Sequence, residues 1–348
     1  DLNTPDVIKE AAKAALDAND THYPPGNGYP YALEAISKFE AEAHGLHYAP
    51  SEIILTVGAT EALFASFSTI LNPGDEVIIP TPAFGLYEAL VQLQGGVPVS
   101  LPTEHNHFQI VPEELKAAIT DRTKAIILTS PNNPTGVVYS RQTLEGLAEL
   151  LRRKSTQFGH PIYLIADEPY RELVYDGVEV PFLPTIYPNT LVCYSYSKSL
   201  SLPGERIGYV CVPSCVEGRA ALRHAGAGAA RSSGHVCPPT LVQLALQRCA
   251  DARPDLAAYD ANRRLLYREL TQMGYECIPP QGAFYIFVRV PDGDDVAFSQ
   301  RAKLEHDLLV VPSTAFHCPG FLRLSYCVSH DMILRSLPAF RAIREKYQ

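Results

Sequence analysis

One repeating pattern constrains this chain most: short apolar runs alternate with stretches of helical spacing. The runs lie at residues 52–56 (EIILT), 76–79 (EVII), 97–101, 124–129 (KAIILT), 162–166, 191–194 and 207–212. Helical patterns separate the earlier ones, at 61–71, 84–93, 112–119 and 141–154. A strand with one wet face alternates apolar and polar residues, whereas one buried on both faces reads as a continuous apolar run. The pattern therefore predicts an α/β fold with a mostly parallel seven-stranded sheet flanked by helices. Two helices precede it, at 4–18 and 31–44, joined by a Pro-, Gly- and Tyr-rich loop.

After about residue 212 the texture changes. Long helical patterns at 214–230, 238–250 and 254–273 give way to apolar runs at 276–278, 283–290, 308–311 and 321–325. A helix near 295–305 and a last one from 331 complete this part. This reads as a smaller α+β domain. Arg263, Arg264 and Arg268 are expected on a solvated face of the 254–273 helix, and Tyr285 in the small-domain core. The 348 residues suit two domains at roughly 100–200 residues each.

Charge and composition remove several function classes. The net charge is −9, against the basic stripe that nucleic-acid binding needs. The longest uncharged run, 180–197, is broken by Pro181, Pro184 and Pro188, so no membrane span is expected. The first twenty residues have no apolar signal-peptide core. None of the eight cysteines forms a CxxC pair. They read as reduced, packed thiols of a cytoplasmic protein.

Ligands of open α/β sheets bind beyond the carboxyl ends of the strands, so the residues after each run matter most. Gly58-Ala59-Thr60 follows the first, at a helix start. It offers backbone N–H groups and a hydroxyl to a phosphate, or simply an N-cap. Asp167 ends another run and needs a cation or donors there. Lys198 follows Ser195-Tyr196-Ser197, where burial can lower an amine's pKa and make it a nucleophile. Arg206 lies eight residues on, able to clamp a phosphate or to form a surface ion pair. A lysine amine, a phosphate cradle and an inward carboxylate together fit pyridoxal 5'-phosphate.

Four motifs extend this reading: SPNNPTG (130–136), ADEPY (166–170), SYSKSLSLPGERIGY (195–209) and RLSY (323–326). In this order and spacing the chain resembles the class I/II aminotransferases, fold-type-I pyridoxal phosphate enzymes. The resemblance implies that Lys198 carries the cofactor as a Schiff base and then moves the substrate proton. Asp167 would face the ring nitrogen, and Tyr170 and Asn133 the 3'-oxygen. Ser195, Arg206, Thr60 and the N–H of Ala59 would hold the phosphate. Phe84 would stack on the ring, and Arg323 would fork the substrate α-carboxylate, beside Asn133. Tyr23 would reach the phosphate of the neighbouring subunit, implying a homodimer with shared sites.

The resemblance further implies residues 1–28 in the small domain and dimer interface, 29–245 as the large cofactor domain and 246–348 as the small C-terminal domain. It also implies a glycine-containing strand ahead of Thr4, so that 348 residues describe a trimmed enzyme. The expected reaction exchanges an amino group between an L-amino acid and a 2-oxo acid. The alternative is a carbon–sulfur β-lyase on the same scaffold.

Overall fold

The computed structural model describes residues 3–250 and 252–347. Seven strands form the larger sheet: β1 (Ile53–Thr56), β2 (Glu76–Thr81), β3 (Val97–Pro102), β4 (Thr123–Thr129), β5 (Tyr163–Asp167), β6 (Thr190–Ser195) and β7 (Gly208–Cys211). Their order is β1-β7-β6-β5-β4-β2-β3. β3, β2, β4, β5 and β6 run parallel, and β7 lies antiparallel to both β6 and β1. The expected fold class is the observed one.

β1, β2, β5, β6 and β7 are buried at every residue, as continuous apolar runs require. β3 departs from this: only Leu101 is buried. It is an edge strand with β2 as its single neighbour, and its Pro98 and Pro102 suit an edge, where a missing N–H costs no ladder bond.

Cap chemistry sets several helix ends that periodicity left short or long. Helix Arg141–Phe158 starts where Ser140 accepts from the Thr143 N–H, and it runs past residue 154 until Gly159 turns left-handed. The helix expected from 214 begins only at Arg219, after Gly218 in a left-handed conformation.

A second, antiparallel sheet holds β8 (Cys277–Ile278), β9 (Tyr285–Arg289), β10 (Val311–Pro312) and β11 (Phe321–Ser325) in the order β10-β11-β9-β8. Helices Leu256–Gln272 and His330–Glu345 supply Leu266, Leu270, Phe340 and Ile343 to its core. Arg263 corrects the solvated-face expectation. It is buried, donates to Asp176, Asp260 and the Pro280 carbonyl, and stacks over Tyr175 at 4.7 Å. Its long stem fills apolar space while three acceptors satisfy the head. Near the N-terminus, helix Asp6–Asp17 lies on helix Thr240–Cys249, and its Ile8 and Ala11 join the apolar cluster of Leu55, Ile78 and Ile126.

One charged knot ties the larger sheet to helix Pro30–His44. Arg171, fully inside, donates to Glu40 at 2.5 Å, Glu168 at 3.1 Å, Glu172 at 3.0 Å and the Tyr209 hydroxyl at 3.0 Å. Its guanidinium also lies 4.3 Å from the Tyr194 ring centroid. Burial pushes the Glu168 carboxyl up to about 7, and Arg171 opposes that rise. Removing one member of a buried ionic network strands the others, at a cost of about 3–5 kcal/mol. Arg171→Ala should therefore lower the stability read from urea unfolding by that order. An unchanged midpoint would show that the carboxylates find water instead.

Candidate active site

The carboxyl ends of the parallel strands open onto a cavity of about 330 Å³. Ala59, Thr60, Phe84, Asn133, Asp167, Tyr170, Ser195, Lys198, Arg206 and Arg323 all line it. Tyr23 does not. It is 84% exposed, on the loop before helix Pro30–His44.

Asp167 is the last residue of β5 and is buried. Its Oδ2 accepts from the Tyr87 hydroxyl at 2.6 Å, while the buried Oδ1 has no hydrogen-bond partner among the described residues. Burial pushes the carboxyl up to about 7, and the Tyr87 bond holds it back. A desolvated acceptor without a partner calls for a donor, preferably a cationic one. A protonated pyridine nitrogen supplies that, so this atom fits the ring of pyridoxal phosphate.

Lys198 stands in the short helix Tyr196–Ser199 that follows β6, half-buried. Burial lowers its amine's pKa. Cys327 opposes that shift, and Arg206 and Arg323 add to it. The Nζ lies 5.6 Å from the Phe284 ring centroid. Such an amine gives up its proton more readily than a solvated lysine and can attack a carbonyl.

The anion end is built by close backbone approach. Helix Gly58–Ile70 directs its first N–H groups, with Ala59 and Thr60, into the cavity. Gly58 has φ +75°, and a Cβ there would sit 2.5 Å from Arg206 Nη2. At Gly208 a Cβ would meet the Tyr194 carbonyl at 2.4 Å and the Gly58 carbon at 2.9 Å. Only two glycines let these segments touch. Arg206, itself at φ +51°, donates to the Pro203 carbonyl at 2.9 Å and approaches that of Val57 at 3.4 Å. Its guanidinium thereby shares the cavity with the helix start and Ser195, an arrangement that could hold a phosphate.

The opposite wall comes from the second sheet. Arg323 on β11 donates to Asn133 Oδ1 at 3.0 Å. Its guanidinium is clasped between the rings of Tyr285 and Phe316, at 4.6 and 4.8 Å. Its buried Nε has no partner among the described residues, which leaves donor capacity for a carboxylate. Tyr170 pairs hydroxyl to hydroxyl with Tyr285 at 3.1 Å. Phe84, 39% exposed, meets the Tyr87 ring edge-on at 5.9 Å.

Two polar residues of this site escape sequence reasoning. Tyr87 follows Phe84 by three positions and donates its N–H to the Phe84 carbonyl. That spacing was its only signal. Tyr285 lies in the small-domain core, as expected, and also lines the cavity, which its core position did not announce. Ser197, Leu63 and Leu86 also line the cavity. The Gly58 geometry yields a prediction. Gly58→Ala should displace Arg206 and weaken pyridoxal phosphate binding by at least roughly tenfold, about 1.4 kcal/mol, in an absorbance titration of the apoprotein. Unaltered affinity would remove Arg206 from the cradle.

Comparison with known proteins agrees with this geometry. The family model for aminotransferase class I and II matches residues 1–340. An aspartate aminotransferase of Geobacillus stearothermophilus is 35% identical, over 96% of this chain and 86% of its own length. An aspartate/prephenate aminotransferase of Thermus thermophilus is 36% identical, over 99% and 88%. Among solved structures, an amino transferase of Eubacterium rectale superposes with a TM-score of 0.96 at 44% identity, covering 100% of this chain and 88% of that one. The Thermus thermophilus aspartate aminotransferase with maleate gives 0.91 at 35%, covering 99% and 89%.

Proposed function

The chain belongs to the aminotransferase class I and II family and is an aminotransferase, and we propose that it works with pyridoxal phosphate held by Lys198. The observation that carries this reading is the buried, unpartnered Oδ1 of Asp167 in the same cavity as the half-buried Lys198. Bound there, the cofactor supplies an electron sink for the pair left when the substrate Cα loses its proton.

The roles are those the family resemblance implies, and the residues that would play them line one cavity, Tyr23 excepted. Asp167 keeps a proton on the ring nitrogen, and that cation in turn favours the charged carboxylate. Ser195, Thr60, Arg206 and the Ala59 N–H hold the phosphate, and Phe84 covers the ring. Tyr170 and Asn133 donate to the 3'-oxygen. Arg323 receives the α-carboxylate of the amino acid or 2-oxo acid as a planar fork. Lys198 Nζ, once free, would take the proton from the substrate Cα and deliver it to the cofactor's C4' carbon.

The exposed Tyr23 supports a homodimer in which this residue completes the partner's phosphate site. Residues 29–245 would form the cofactor domain and 246–348 the smaller one, with 1–28 at the interface. The eight cysteines are thiols rather than disulfides, in keeping with the expected cytoplasmic setting. The relatives' names, aspartate, aspartate/prephenate and aromatic-amino-acid aminotransferase, suggest dicarboxylic and aromatic substrates, and family habit suggests 2-oxoglutarate or pyruvate as acceptor.

Reduction with borohydride should fix the yellow cofactor on one peptide, the one containing Lys198. A tag elsewhere removes that lysine from the role. A panel of L-amino acids with 2-oxoglutarate should then yield the matching oxo acids. Pyruvate released from cystathionine without amino transfer would establish the lyase instead. Arg323→Ala should raise KM by about a hundredfold or more, the scale of a charged hydrogen-bonded pair, while the protein stays yellow. Loss of the colour would assign Arg323 to the cofactor.

A further inference from the structure

Tyr285 links two groups that the proposed function keeps separate. Its ring lies 4.6 Å from the Arg323 guanidinium, and its hydroxyl lies 3.1 Å from that of Tyr170. The hydroxyl contact crosses from the second sheet toward the first, since Tyr285 belongs to β9 and Tyr170 to the loop after β5. Tyr285 pairs with Ser325 across the β9–β11 ladder, and Arg323 with Phe287. Tyr285 and Arg323 are thus diagonal neighbours on one face, held by backbone bonds rather than by a flexible loop. Phe284 meets the Tyr170 ring edge-on at 5.5 Å and fixes its tilt.

We propose that Tyr285 is a positioning residue that transmits the charge state of Arg323 to the Tyr170 hydroxyl, so that a carboxylate arriving at one wall of the cavity is felt at the other. This rests on the aminotransferase reading above. The direction follows from which phenol donates. A phenol has one proton to give, so a Tyr170 that donates to the 3'-oxygen, as the proposed function has it, accepts from Tyr285 across their 3.1 Å contact. Burial raises both phenols, and Arg323 opposes the rise in each. The Tyr170 proton is left to point into the cavity, toward the expected 3'-oxygen. Donor chains of this kind strengthen the terminal donor. An unliganded Arg323 makes Tyr285, and through it Tyr170, the better donor. A carboxylate on Arg323 weakens both.

The charged and titratable groups acting on Tyr285 are Tyr170, Arg323 and Cys327. Those acting on Lys198 are Cys327, Arg206 and Arg323. Arg323 thus reaches the lysine directly; it also acts directly on Tyr170 and donates to Asn133. Of these routes and the one through Tyr285, only the last is lost when the Tyr285 hydroxyl is removed.

The test is a pH titration of the visible absorbance of the cofactor-loaded protein. It is run with and without saturating maleate or 3-phenylpropanoate, carboxylates that carry no amino group. A stronger Tyr170 donor holds the 3'-oxygen as an anion and lowers the midpoint. The carboxylates should therefore raise the wild-type midpoint. Tyr285→Phe should raise it without them, by roughly half to one pH unit, the worth of one net hydrogen bond, and should respond less to carboxylate. In a Tyr170→Phe background, adding Tyr285→Phe should change nothing further.

A Tyr285→Phe protein with the wild-type midpoint and carboxylate response, or an effect that persists undiminished without the Tyr170 hydroxyl, overturns the proposal. A colourless protein, or a borohydride tag away from Lys198, counts against the aminotransferase chemistry itself and is read before any variant is made.

Discussion

Two carboxylates follow one another at the end of β5, and strand alternation sends them to opposite faces of the sheet. The faces treat them differently. Glu168 enters the layer with Glu40, Tyr194 and Tyr209, where Arg171 satisfies it. Asp167 enters the cavity layer, where one oxygen has Tyr87 and the other has nothing. One face holds a closed ionic knot that locks helix Pro30–His44 to the sheet. The other holds a desolvated acceptor left incomplete. A register slip of one residue would exchange the two environments, burying the unpaired acceptor in the structural knot and exposing the arginine partner to the site. The five flanking Cα pairs between β4 and β5, and the four between β5 and β6, fix that register.

The cavity is a joint product of the two sheets. The first supplies the ends of β1, β5 and β6 and the turns after them. The second supplies Arg323 and Tyr285, which reach across to Asn133 and Tyr170. At the anion end, tight approach replaces side-chain packing. Gly58 and Gly208 permit it, and Arg206 adopts a left-handed backbone, which costs a non-glycine residue on the order of 1 kcal/mol or more. Its bond to the Pro203 carbonyl offsets part of that. Strain, two glycines and an arginine at one point are a costly arrangement for mere packing, and they make sense as an anion cradle.

How far this was legible in the sequence depends on the kind of contact. β1, β2 and β4 to β7 announce themselves because both faces are buried, and the motif residues Ala59, Thr60, Asn133, Asp167, Ser195 and Lys198 lie at or just after strand ends, where ligands of open α/β sheets bind. β3 misled because an apolar edge strand has the same composition as a buried one. Arg263 misled because helical spacing shows which face a residue takes but not what docks on it. Tyr87 and Tyr285 stayed hidden for a related reason. Each looks like a core aromatic, and only the tertiary fold decides whether its hydroxyl ends in apolar packing or against Asp167 and Tyr170. Gly58 was visible as a residue, but its close contact with Arg206 joins positions far apart in the chain.

The overall charge of −9 says nothing about this site, whose described lining carries Lys198, Arg206 and Arg323 against Asp167 alone. The local imbalance favours ligands with anions at two ends. It also bears on the lysine. Arg206 and Arg323 both push the Lys198 amine toward its neutral form, and each is relieved when an anion pairs with it. Occupying the Arg206 end therefore raises the lysine's proton affinity by one step, and occupying the Arg323 end by another. The amine is most easily deprotonated while the site is empty and gains basicity as ligands fill it. That order suits the role proposed for Lys198, a nucleophile toward a carbonyl first and a proton carrier once a carboxylate is in place. Burial alone, which acts on Lys198 whether or not the two arginines are paired, could not produce that order of events.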